Sequence, residues 1–352
     1  MNDDEPVLLH TEGHVLHITL NRPRALNALT HTMVRIVDEA LVLAADDDAV
    51  TAVVIDGAGG RGLCAGGDIR SIYEDARAGR RASVDFWRDE YRLNARIAGF
   101  PKPYVALMDG IVMGGGVGVS AHGDVRVVTE RSRVAMPETG IGFVPDVGGT
   151  YLLACAPGEL GTHLALTGRA VGAADAILCG LADHFVPSDR LAGLTTALAA
   201  STTPGEVTET VLRFAADAPE GELTAHRAWI DACYAADTVE EIIGRLADSG
   251  LPAAKETADT LLAASPTALK VTLAAVRRAR RLSGLEAALD QEFRVSCRAF
   301  EGHDLMEGVR ARIIDKDRTP RWIPAEPREV TDAEVARHFE PLGDQELGLA
   351  ST

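Results

Sequence analysis

The strongest constraint on this chain is a change of pattern near residue 200. Before Ser201, short apolar runs of strand character alternate with amphipathic helical stretches; after it the strand signal stops. Residues 6–20 alternate in polarity about Glu12-Gly13, which predicts a β-hairpin. Thr30 is positioned to cap a helix running to about Ala45. Residues 51–56 (TAVVID) and 103–108 (PYVALM) read as short buried strands, with further strands at 125–129 and 133–135. Helices are expected from about Asp68 and over 84–98. Strand and helix in alternation define the α/β class. Beyond Ser201 the patterning is helical at 207–215, 239–247, 253–264, 266–282, 285–300 and 304–314. A proline-bearing acidic tail from Pro324 carries one more short helix near 331–339.

The net charge of −17 limits the partners. Such a surface repels nucleic acid and anionic membranes, so neither is expected to bind. An anionic small molecule would need a local basic patch, and "NRPRALN" at 21–27, with Arg22 and Arg24, is the candidate. No apolar run is long enough for a membrane span. The acidic opening MNDDEPVLLH has the pattern of neither a signal nor a transit peptide, which leads to a cytoplasmic expectation. Cys64, Cys155, Cys179, Cys233 and Cys297 form no C-x-x-C pair and read as thiols in a reducing compartment.

Two glycine-rich turns and one acidic segment carry the chemistry. "CAGGD" at 64–68 lies between a strand and a helix, where backbone N–H groups are left unbonded and Asp68 can cap the helix. It lacks the Lys-Ser or Lys-Thr of a phosphate loop. "MGGGVG" at 113–118 opens a second helix. Gly116, Gly118 and Ala121, with Glu138 further on, loosely match a dinucleotide fingerprint, but Gly110 breaks the strand that should precede it. Close helix packing explains the same glycines. Ser120, His122 and Asp124 do not make a hydrolase triad: Ser120 and His122 are two apart in a helical stretch, and no G-x-S-x-G elbow is present. Metal-ligand spacings such as H-E-x-x-H are also missing. "PETGIGFVPDVGG" at 137–149 sets Glu138 and Asp146 among apolar residues, glycines and prolines. Burying carboxylates costs free energy that a hydrogen bond or a catalytic task must justify. Two helix-start N–H donors and a carboxylate together fit chemistry on a carbonyl whose oxygen gains negative charge.

The ordered set "CAGGD", "MGGGVG" and "PETGIGFVPDVGG" resembles the crotonase (enoyl-CoA hydratase/isomerase) superfamily. "RDEYRLN", "SPTALKVTL" and "EGHDLMEGVRARIIDKDRTPRWIP" resemble the branch of it that hydrolyses 3-hydroxyisobutyryl-CoA. The likeness runs from about Val7 to Gly343. It implies an α/β fold, a spiral of ββα units with a helical C-terminal region. The expected organisation is an acyl-CoA-binding catalytic core over 1–200, a helical region over 201–323 and an acidic tail over 324–352. The resemblance implies that Gly67 and Gly115 supply the oxyanion-holding N–H groups. It implies coenzyme A contacts at Arg24, Leu26, Ala65, Asp68 and Ile69. Glu138 and Asp146 take the catalytic positions, and Glu90 lines the substrate pocket. Hydratases of the superfamily carry a glutamate where this chain has Gly118, so water addition by two glutamates is disfavoured. Asp109 stands where histidine is common. The implied reaction is hydrolysis of a short 3-hydroxyacyl-CoA in valine breakdown, with coenzyme A as part of the substrate and no separate cofactor. The likeness is compatible with a homo-oligomer. Another acyl-CoA enzyme of the superfamily, or a non-catalytic acyl-CoA sensor or assembly subunit, are the competing readings.

Overall fold

A computed structural model describes residues 5–350. Its chain forms two compact units. The first comprises residues up to Gly67, Arg92–Ala135 and Val171–Gly221; the second comprises Asp68–Tyr91, Met136–Ala170 and the chain from Glu222 onward.

The nine strands among the described residues belong to the first unit: β1 (Val7–Glu12), β2 (Val15–Leu20), β3 (Ala52–Gly57), β4 (Gly62–Cys64), β5 (Tyr104–Met108), β6 (Ile111–Met113), β7 (Val125–Val128), β8 (Arg133–Ala135) and β9 (His184–Phe185). The hairpin β1–β2 is antiparallel, in the register Val7 opposite Leu20. The other strands pair with one another in parallel. One sheet has the order β1-β2-β3-β5-β7-β9 and the other β4-β6-β8. The chain therefore lays one strand into the large sheet and the next into the small one, three times over. Each repeat passes through helix before the next parallel strand, because parallel neighbours need a crossover. This is the expected spiral of ββα units.

Alternation along the strands explains the core. Ala52 and Val54, Val105 and Leu107, and Val125 and Val127 share one face of the large sheet. They pack on Leu194 and Leu198 of the Leu191–Ala199 helix and on Val207 and Val211 of the Pro204–Phe214 helix. Val53 and Ile55 on the opposite face are also fully buried, so β3 reads as an unbroken apolar run.

The small sheet is where the sequence reading fell short. The first glycine run was expected to be a turn between strand and helix and the second to open a helix, yet Gly62–Cys64 and Ile111–Met113 pair in it. The third strand of this sheet, Arg133–Ala135, was anticipated; the other two are three residues long and lie within glycine runs, where no period can be read. Their glycines serve close packing: a Cβ on Gly116 would lie 2.3 Å from the Cys64 carbonyl oxygen.

The second unit is helical. Its core includes Val271 and Ala275 of the Pro266–Ala279 helix, Val295 of the Leu285–Glu301 helix, Phe339 from the tail, and Val144 of the acidic segment. Lys270 Nζ donates to the Val330 carbonyl at 2.8 Å and pairs with Glu240 at 3.0 Å, which ties the tail down. The expected tail helix is present as Asp332–Arg337, with a capping box between Thr331 and Glu334. The Leu223–Tyr234 helix was not anticipated.

Gly116→Ala is expected to destabilise the protein by ~1–3 kcal/mol, the cost of forcing an atom into a packed core. A lowered urea midpoint with an unchanged slope would show it.

Candidate active site

In the first unit, the turn at 22–27 is stapled to the glycine run after β3. Asn27 is almost fully buried; its Nδ2 donates to the Ala58 and Gly62 carbonyls at 3.0 and 3.1 Å, and its Oδ1 accepts from the Arg22 amide at 2.9 Å. Leu26 and Asn27 both adopt positive φ, a conformation that this staple holds in place. The Ala65 amide donates to the Leu26 carbonyl at 3.0 Å, so these two expected coenzyme A contacts are adjacent. The Arg22 guanidinium donates to the Ala28 carbonyl at 2.5 Å and so has a structural task. Arg24 is exposed, and its carbonyl accepts from Arg61 at 3.3 Å. Arg61 is a further cation at this turn that sequence reasoning did not single out.

The two glycine turns meet in the same unit. Gly66 has φ +111, and a Cβ there would lie 3.8 Å from the Gly115 amide nitrogen. A parallel bridge joins Gly67 to Leu29, whose N–H bonds the carbonyl of Gly66. In such a bridge the N–H of Gly67 itself points off the ladder. Gly115 is the first residue of the short Gly115–Gly118 helix, where an N–H has no intrahelical acceptor. Both positions are thus suited to donate to an external oxygen.

Neighbouring polar groups have other roles. Ser120 Oγ donates to the Gly116 carbonyl at 2.6 Å, and Asp124 accepts from the Tyr104 amide at 3.0 Å, so no triad is assembled. Asp109 accepts from Thr129 Oγ1 at 2.6 Å and pairs with Arg131. Among the described residues, no set of His, Cys, Asp and Glu has the arrangement of a metal site.

The second unit gathers the acids. Asp68 caps the Ile69–Arg77 helix by accepting from the Ser71 amide at 3.4 Å, and Ile69 is the first residue of that helix. Glu90 lies on the Ala82–Ala98 helix. Glu138 opens a single 3-10 turn, Glu138–Ile141, fastened by Thr139 Oγ1 donating to the Leu166 carbonyl at 3.0 Å. The chain then runs without regular structure, with Phe143 stacked on Trp87, to Asp146 just before the Gly149–Cys155 helix. Glu90, Glu138 and Asp146 are each 6% exposed or less. Glu90 Oε1 and Glu138 Oε2 are buried without a hydrogen-bond partner among the described residues.

A fourth acid, Glu292, is 1% exposed and lies on the Leu285–Glu301 helix. It accepts from the Gly148 amide at 2.6 Å, the Thr150 amide at 2.9 Å and Thr150 Oγ1 at 2.5 Å. Tyr91 Oη donates to Asp146 Oδ2 at 2.7 Å and lies 2.7 Å from Ser296 Oγ. The sequence reading missed Glu292, Ser296, Thr150 and the role of Tyr91. One signal was available: Glu292 interrupts the apolar stripe of Leu285, Leu289, Phe293 and Val295.

Burial drives the electrostatics. It raises Glu138 well above the ordinary carboxylate range, and the charges of Asp146, Glu292 and Glu90 add to the effect. Glu90 is raised by burial and then by Asp146. Burial lifts Asp146 to about 7, against the hydrogen bonds from Tyr91 and its own amide. Burial lifts Glu292 to about 8, opposed by the bonds from Thr150 and Gly148. Such a cluster holds protons at neutral pH and can accept or release them there.

The chain is similar to known proteins over nearly its whole length. Residues 15–339 match the family model described as Enoyl-CoA hydratase/isomerase. A mitochondrial 3-hydroxyisobutyryl-CoA hydrolase of Rattus norvegicus is 44% identical over 97% of this chain and 90% of its own length. The Homo sapiens protein of that name is 42% identical with the same shares covered. Among solved structures, a carnitinyl-CoA dehydratase from Mycobacterium thermoresistibile is 51% identical, with a TM-score of 0.94 over 99% of this chain and 100% of its own. An enoyl-CoA hydratase from Rhodobacter sphaeroides 2.4.1 is 46% identical, with a TM-score of 0.92 over 97% of this chain and 99% of its own.

The raised carboxyl groups link stability to pH. Unfolded, they titrate near 4; folded, Asp146 and Glu292 titrate near 7 and 8. Their stabilising contribution is complete below the unfolded values and is lost as pH rises through the folded ones. The melting temperature should therefore fall between about pH 5 and 8.5, and Glu138→Gln should flatten that fall. Calorimetric scans of both proteins across this range would test it.

Proposed function

This chain belongs to the enoyl-CoA hydratase/isomerase family, and from that premise we propose that it hydrolyses the thioester of 3-hydroxyisobutyryl-CoA to the free acid and coenzyme A. The observation that carries the reading is the buried pair Glu138 and Asp146 in a chain that has Gly118 at the hydratase glutamate position. The near-full-length likeness to relatives named as 3-hydroxyisobutyryl-CoA hydrolases supports it. The dehydratase and hydratase names of the solved relatives keep a related acyl-CoA reaction as the alternative.

The chemistry needs an oxyanion partner and a carboxylate. The N–H groups of Gly67 and Gly115 are proposed to hold the carbonyl oxygen as it becomes negative, each donor worth about 3 kcal/mol in a water-excluded site. Ionised Glu138 then has two routes. It can attack the thioester carbon, expelling coenzyme A thiolate and leaving a mixed anhydride that water cleaves. It can instead take a proton from water, whose oxygen attacks the carbon while the thiolate departs and is protonated. Its raised affinity for protons matches a base working near neutral pH. Asp146 is proposed to accept a hydrogen bond from the substrate hydroxyl, and Glu90 to line the acyl pocket. Arg24, Leu26, Ala65, Asp68 and Ile69 are proposed to contact coenzyme A, which enters as part of the substrate rather than as a cofactor.

This reaction would place the chain in valine breakdown. Cytoplasmic residence and assembly as a homo-oligomer belong to the same proposal; the rat and human relatives are themselves named mitochondrial.

Purified protein should release thiol from 3-hydroxyisobutyryl-CoA faster than from 3-hydroxypropionyl-CoA, with kcat/KM rising with pH up to about 7, where Asp146 titrates. Glu138→Gln should lower kcat by at least ~1000-fold while acyl-CoA still binds. Near-normal turnover by that variant would remove Glu138 from the mechanism. Hydration of crotonyl-CoA without thiol release would favour the alternative. Single turnover in heavy-oxygen water tests for the anhydride: label in the Glu138 carboxylate marks it, because activated water delivers label to the product alone.

A further inference from the structure

Asp146 sits on a turn that needs outside support. Val147 has φ +53 and Gly148 φ +81, so two successive residues are left-handed, and the first is β-branched. Glu292 closes this turn from the side. One of its oxygens accepts from Gly148, and the other accepts twice from Thr150. The Asp146 side chain is held separately. Its Oδ2 accepts from the fully buried Tyr91 hydroxyl, whose ring is set edge-on against Phe293 with centroids 6.2 Å apart. A phenol has one proton and an ionised carboxylate can only accept. When Asp146 is ionised, that proton points to Asp146, and Ser296 donates to the phenol oxygen. Glu292 and Ser296 are four residues apart, so one face of the Leu285–Glu301 helix supports both the backbone turn and the side chain.

We propose that Tyr91 and Glu292 are positioning residues for Asp146, the tyrosine fixing its carboxylate and the glutamate fixing the turn that carries it. This rests on reading Asp146 as part of the hydrolytic site. A dry carboxyl used only for packing would be a poor choice, because apolar side chains of similar size fill such space at no electrostatic cost. The titratable groups around Asp146 are Glu90 and Tyr91 of the Ala82–Ala98 helix, Glu138 of its own segment and Glu292 of the Leu285–Glu301 helix. Of these, the tyrosine is the one that favours the ionised form of Asp146.

The test compares Tyr91→Phe, Ser296→Ala and Glu292→Gln with the parent in thiol release across pH 5.5–9. Tyr91→Phe should lower kcat about tenfold with KM within about threefold, and should move the acidic limb up by about 1 pH unit, since a donor to the carboxylate is lost. Ser296→Ala should move the limb the same way by less. Glu292→Gln, which turns an amide NH2 toward backbone donors, should also lower kcat about tenfold with little change in KM. A Tyr91→Phe profile superimposable on the parent's, or a Glu292→Gln kcat within twofold of the parent's, overturns the assignment for that residue. Should Tyr91→Phe fail to fold, Ser296→Ala decides: an upward shift supports the assignment and an unmoved limb overturns it. Should the parent release no thiol, the hydrolase reading fails on its own. Carbon-13 titration of Asp146 then decides the positioning: a higher midpoint in Tyr91→Phe upholds it, and an unchanged midpoint ends it.

Discussion

Four carboxyl groups in one dry compartment cannot all be ionised, and much of the second unit is organised around that fact. Isolated charges in such surroundings would cost many kcal/mol, so the groups retain protons or recruit donors. The structure does both, and it treats the acids differently. Glu292 receives three donors and Asp146 receives the Tyr91 hydroxyl. Glu90 and Glu138 each keep a buried oxygen without a partner among the described residues. The first two are braced by donors, and the other two keep unmet capacity.

The first unit solves a different problem, the close approach of backbone to backbone. Parallel strands added alternately to two sheets bring the residues after β4 beside the residues after β6. Only residues without a Cβ fit there, as Gly116 against Cys64 illustrates. Tight packing and amide donors left outside the helical ladder are thus two results of one composition. The fingerprint-like spacing of these glycines reflects this packing.

Legibility in the sequence followed length and periodicity. The hairpin, the long helices and the buried run of β3 were readable because each repeats a pattern over six residues or more. Strands β4 and β6 were not, being three residues long and glycine-flanked. Glu138 and Asp146 stood out as acids in apolar surroundings, and Asp68 as a cap. Their roles came from family likeness, because spacing along the chain says little about which distant groups meet. Glu292 lies 146 residues beyond Asp146, and its partnership with the turn after Asp146 is a tertiary fact. Arg22 shows the converse: a charge that looked available for a ligand donates to the Ala28 carbonyl.

The docking of the tail has a consequence for motion. Phe339 and Val144 belong to one buried cluster, and Lys270 holds the carbonyl of Val330. Peeling the last stretch of chain away would uncover the apolar underside of the very segment that carries Glu138 and Asp146. Amide hydrogens in that segment should then exchange with solvent in step with those of the tail, as one cooperative unit. The C-terminus would in that way set how often the acid compartment opens to water, although it lies far along the chain from either acid.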